Sequence, residues 1–71
     1  MPKLPRLTAK RVITLLLKHG FVLDHSTGSH QIFYHPTTHC RVTVPFHNRN
    51  LLIGTLYSIL KQSGIPRDEF R

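Results

Sequence analysis

From Thr8 onward, apolar residues recur at helical spacing. Ala9, Val12, Ile13, Leu16 and Leu17 fall on one side of a helical wheel, Lys10, Arg11, Thr14 and Lys18 on the other, and Leu15 on the flank. Thr8 is a preferred N-cap type, and Lys18-His19-Gly20 supplies a basic last turn followed by a glycine stop. The pattern predicts a helix over about residues 8 to 19, with its basic residues in a solvated stripe.

The period then shortens to two, and three β segments follow, each closed by turn residues. Phe21 to Asp24 ends at Ser26-Thr27-Gly28, Ser29 to His35 ends at Pro36-Thr37-Thr38, and His39 to Val44 ends at Pro45. Connections this short cannot make the crossover that parallel strands require, so an antiparallel meander is the economical arrangement. In the third segment Val42 and Val44 alternate with Arg41 and Thr43, one pair inward and the other outward. The second segment leaves two choices open: Ile32 and Tyr34 share a face with His30, and Phe33 shares the other with Gln31 and His35.

Residues 46 to 54 read as a loop reaching a second helix that begins at Leu52 or Thr55 and runs to Ser63, with Leu56, Ile59 and Leu60 at helical spacing. Gly64 ends it, and Pro66 suits the start of a further short turn. The order is α-β-β-β-α. This predicts an α+β domain in which a three-stranded antiparallel sheet carries two helices on one face.

Length narrows the organisation. Seventy-one residues form one domain spanning 1–71, with residues 1–7 as a basic N-terminal arm. Ten Lys and Arg against three Asp and Glu leave a net charge of +7, which points to a polyanionic or acidic partner. Cys40, the single cysteine, excludes an intrachain disulfide and fits a reducing, cytoplasmic setting. The run Val12 to Leu17 is too short and too poorly followed for a signal peptide, and no stretch approaches a membrane span, so no membrane partner is expected.

Six histidines stand out in so short a chain. His35, His39 and Cys40 offer metal ligands, but there is no Cys-x-x-Cys knuckle and a proline turn separates the two histidines, so no metal site is expected. A nucleophilic triad is weakly supported, because Ser29, next to His30 in sequence, points to the opposite side of a strand and Asp24 is the only carboxylate before Asp68, and Cys40 reads as a small core residue rather than a reactive thiol. No glycine-rich phosphate loop is present, and Asp68 and Glu69 are adjacent rather than arranged as an acid–base pair.

An ordered series of short motifs remains. Leu17-Lys18-His19-Gly20-Phe21, then Gly28-Ser29-His30 with Ile32-Phe33-Tyr34-His35-Pro36, then Arg41-Val42-Thr43-Val44-Pro45-Phe46-His47, then Gly54-Thr55-Leu56 and Ser58 through Ile65 resemble, in this order, the HicA family of bacterial toxins. The likeness runs over about residues 8 to 70. It implies a double-stranded-RNA-binding-like fold, a ribonuclease acting on mRNA without a cofactor, and a HicB-like antitoxin that blocks the site. It also implies a monomer that forms a hetero-oligomer with that antitoxin. The family's catalytic histidine maps onto His30. Two positions depart from the family pattern: Asp24-His25-Ser26-Thr27 precedes Gly-Ser-His where basic residues are common, and Leu52-Ile53 stands where Lys-Pro is common.

The chemistry agrees with that mapping. A neutral imidazole can take the proton of a ribose 2′-hydroxyl and a protonated one can donate to the leaving 5′-oxygen, and only RNA carries that internal nucleophile. One histidine cannot do both in a single step. His35 is a candidate for the second acid or base, although strand parity sets it on the other face from His30, and Lys10, Arg11, Arg41 and Lys61 are candidates for holding phosphates. The competing readings are a non-catalytic double-stranded-RNA-binding module, a catalytically weakened toxin homologue, and a protein basic only to meet an acidic partner.

Overall fold

A computed structural model describes residues 6–46 and 50–70; most of the basic arm, and His47, lie outside them. The chain forms α1 (Ala9–Lys18), β1 (Val22–Thr27), β2 (His30–Tyr34), β3 (Arg41–Pro45), α2 (Ile53–Ser63) and a short 3-10 turn at Arg67–Glu69. The strands make one antiparallel sheet in the order β1-β2-β3. This is the expected α-β-β-β-α architecture.

Helix α1 starts where its cap chemistry places it, with the Thr8 side chain accepting from the Arg11 amide at 3.2 Å. Its buried face is Ala9, Val12, Leu15 and Leu16, so Leu15 takes the inward place expected of Leu17, which is 52% exposed. Helix α2 begins at Leu52–Ile53 and ends on Gly64 in the left-handed conformation at φ 71°, which glycine adopts without a Cβ clash. It buries Leu56 and Ile59. The tail folds back to seat Phe70, 1% exposed, in the same core.

The sheet resolves the open choice in β2. Phe33 pairs with Val42, and both are buried with Val44 under the two helices. His30, Ile32 and Tyr34 therefore share the opposite face with Thr43 and Arg41, their β2–β3 neighbours, which no helix among the described residues covers. Burying some fourteen largely aliphatic and aromatic side chains on one side alone, at roughly 1.5–3 kcal/mol each before entropy is counted, makes that side the one that holds the domain together. The other side is left for function.

One boundary differs in a way that matters. Ser26 and Thr27, expected in a turn, belong to β1, and the turn is the two-residue step Gly28-Ser29. Gly28 sits there at φ 53°, in the first central position that a type II′ hairpin reserves for glycine. Cys40 also moves: it precedes β3 rather than lying within it, and packs half-buried against the core.

Candidate active site on the open face of the sheet

The turn at Gly28 delivers His30 as the first paired residue of β2, opposite Thr27 on one side and Pro45 on the other. His30 is exposed, and among the described residues no hydrogen bond engages its ring. The other described histidines are hydrogen-bonded through their rings or, in the case of His19, buried beside a carboxylate without a hydrogen bond to a described residue. His19 Nε2 lies 3.4 Å from Glu69 Oε1, His25 Nδ1 donates to Asp24 Oδ2 at 2.7 Å, and the Tyr34 hydroxyl is hydrogen-bonded to His39 Nδ1.

His35 is the most constrained of them. Its Nδ1 accepts from the amides of Thr37 and Thr38 at 3.1 and 3.2 Å, which leaves the ring proton on Nε2 to donate to the carbonyl of His19 at 3.1 Å. The ring stands edge-on to Phe21, with centroids 5.0 Å apart. The structure thus sets His35 at the α1–β1 turn, beyond the end of β2 farthest from His30, with both nitrogens engaged.

The open face carries a second polar group that the sequence reading passed over. The register shifts between Leu23 and His25, so Asp24 is the extra residue of a β-bulge. Its Oδ2 accepts from both His25 Nδ1 and Arg41 Nη1, the latter at 3.0 Å, and the Arg41 guanidinium lies over the Tyr34 ring at 4.9 Å. The His25 hydrogen bond, with the Arg41 one beside it, holds the Asp24 carboxyl below its ordinary value, so it is ionised at neutral pH. A turn of two residues rather than three in Thr27-Gly28-Ser29-His30 is the sequence signal that would have kept His25 on a strand.

The phosphate candidates divide between layers. Arg41 shares the open face with His30, though it spends one nitrogen on Asp24. Lys10, Arg11 and Lys61 lie exposed on helices packed against the other face. Topology nonetheless brings part of this charge near. Thr8 bridges Asn50 and the Leu51 amide donates to the Leu7 carbonyl at 2.8 Å, so the N-termini of α1 and α2 start side by side, at the end of the sheet where His30 begins β2. Neither first turn contains an acid, so two helix dipoles present their positive ends there unopposed, next to a shallow cleft lined by Arg6, Asn50, Leu51, Leu52 and Ile53. Such an end attracts phosphate.

Among the described residues no three His, Cys, Asp or Glu side chains are gathered as metal ligands, and no helix is long and apolar enough to cross a membrane. No individual curated relative matches the chain. The family model described as the HicA toxin of bacterial toxin–antitoxin systems matches residues 9–65, a span that takes in α1, the whole sheet and α2. With this match covering most of the chain, the protein belongs to the HicA family of toxins, whose partners are antitoxins.

Proposed function

We propose that the protein is a metal-independent endoribonuclease that cleaves mRNA through His30 and is neutralised by a HicB-like antitoxin covering the same face. The observation that carries this reading is the contrast among the histidines: His30 stands exposed where a turn glycine begins the central strand, with neither ring nitrogen engaged by a described residue, whereas the rings of His25, His35 and His39 are hydrogen-bonded and His19 Nε2 is buried 3.4 Å from Glu69 Oε1. An unengaged imidazole contributes little to folding and leaves both ring nitrogens open to a substrate. Arg41 and the paired helix N-termini supply positive potential for the substrate phosphates, with Lys10, Arg11 and Lys61 extending it around the domain. The element order is that of double-stranded-RNA-binding modules, which bind A-form RNA by shape and backbone contacts.

A domain of net charge +7 is best captured by an acidic partner, and occlusion of His30 would make antitoxin binding and cleavage mutually exclusive. Induction of the wild type and of His30→Ala in a bacterial host tests the reading. The wild type stops growth and degrades messages, with cleavage by the purified protein persisting in excess EDTA, and the folded alanine variant does neither. A folded His30→Ala protein that still cleaves at the wild-type rate overturns it. Cleavage lost on chelation and restored by zinc or magnesium overturns the metal-independent part alone.

A further inference from the structure

We infer that His25, held by Asp24, is the second proton-transfer group of this site: it takes the substrate's 2′-hydroxyl proton while His30 protonates the leaving oxygen. This rests on the ribonuclease reading above. In a regular strand Leu23 and His25 would share a face. The bulge at Asp24 reverses the parity, so that Leu23 stays opposite Phe33 on the helix side while His25 comes opposite Ile32 on the open side. His30 is the next residue of β2 on that side, which makes His25 and His30 diagonal neighbours, a relation that sets Cα atoms roughly 7–8 Å apart. A phosphodiester fits between two imidazoles at that spacing.

The tautomer follows from the hydrogen bonds. Asp24 is an ionised acceptor, so the His25 ring proton sits on Nδ1 and Nε2 keeps its lone pair, which is the form a general base needs. Arg41 Nη1 on the same carboxylate oxygen holds the dyad across the face from β3. The titratable and charged groups facing His25 are Asp24 on its own strand, His30 and Tyr34 on β2 and Arg41 on β3.

The step balances as follows. His25 Nε2 removes the 2′-hydroxyl proton as the 2′-oxygen forms a bond to phosphorus. The bond from phosphorus to the 5′-oxygen breaks, and that oxygen takes a proton from His30. A 2′,3′-cyclic phosphate with the single negative charge of the diester and a neutral 5′-hydroxyl result, leaving His25 protonated and His30 neutral, and solvent then takes a proton from His25 and returns one to His30. His39, by contrast, is tied to Tyr34 at the far end of the face.

Rates on an RNA substrate, and on the same RNA with sulfur replacing the 5′-oxygen at the mapped cleavage position, test the assignment, because a thiolate leaves without a proton. On ordinary RNA, His25→Ala and His30→Ala should each lose about 10²- to 10⁴-fold in kcat. On the sulfur-substituted RNA, His30→Ala should recover and His25→Ala should stay slow. Asp24→Asn, as a positioning change, should slow cleavage less than His25→Ala does and, like it, stay slow on the sulfur-substituted RNA, a substrate pattern that a merely structural loss would not show. Circular dichroism checks that each variant is folded, as the exposure of His25 leads one to expect. A wild-type rate in His25→Ala overturns the inference while leaving His30 in place, and so does recovery of His25→Ala rather than His30→Ala on the sulfur substrate. An undiminished His30→Ala overturns the ribonuclease reading instead.

Discussion

Strand β2 is bounded by two histidines, and the protein treats them in opposite ways. At its start His30 is exposed, with a ring that no described residue engages; just past its end His35 is half-buried, with both nitrogens bonded and its ring against Phe21. The residue type is the same. What differs is the neighbourhood: at the His35 end the His19 carbonyl of the α1–β1 turn takes the ring proton, and at the His30 end the carbonyl of the glycine turn, that of Ser29, already accepts from the Phe46 amide. A histidine is structural where the backbone around it has donors and acceptors left over, and is free for chemistry where it has none.

Exchanging either histidine for alanine should separate these roles. His30→Ala is expected to cost about 10² to 10⁴ in cleavage rate and leave the melting temperature nearly unchanged. His35→Ala removes three hydrogen bonds and an aromatic edge contact, and should cost about 2 kcal/mol, or roughly 10 °C in Tm. Its rate per folded molecule should stay close to wild type. Thermal melts and single-turnover cleavage on the same preparations check both, and a catalytic loss in His35→Ala without a loss of stability would erase the contrast.

Gly20 sharpens it further. The residue sits at φ 92°, and a Cβ there would approach His35 Nε2 to 2.9 Å. Gly20→Ala should therefore combine backbone strain with displacement of the ring from the His19 carbonyl, at about 1–2 kcal/mol. In the His35→Ala background the steric part disappears, so the two changes together should cost less than their sum. A double-mutant cycle by denaturant unfolding measures this, and strict additivity would mean that the glycine answers to the turn alone.

How much of this was legible in the sequence depends on how local each signal is. Helix α1 was, because Thr8, the apolar stripe and Gly20 are local; only its rotation differs, the buried stripe extending to the Leu15 flank rather than the Leu17 flank, since the two flanks of a stripe differ in burial only once the sheet is there to bury one of them. The choice between Phe33 and the Ile32–Tyr34 face needed the pairing of Phe33 with Val42, which is tertiary. His30 was found through the ordered motifs that surround it. His25 was not found, because Ser26 and Thr27 are turn-forming types and the parity change at Asp24 leaves no trace in an alternation only two residues long.

The smallest effect expected is at Asp24, on the open face. In the folded protein the hydrogen bond from His25, and then that from Arg41, hold the Asp24 carboxyl below its ordinary value, whereas the unfolded chain leaves it at about 4. A depressed folded value means that the unfolded state binds the proton first. The stabilisation is thus complete above about pH 4 and is lost as the pH falls from there through the folded value. Because Asp24 is exposed, solvent screens the pair and the loss is modest. Melting temperatures of wild type and Asp24→Asn should therefore differ slightly at pH 6 and converge as the solution is acidified below about pH 4. Added salt should narrow the difference at pH 6 as well, since the Arg41 contact is an exposed ion pair. Two melting curves that stay parallel to low pH would mean that Asp24 contributes no charge-dependent stability, and that its hold on His25 matters to the geometry of the open face alone.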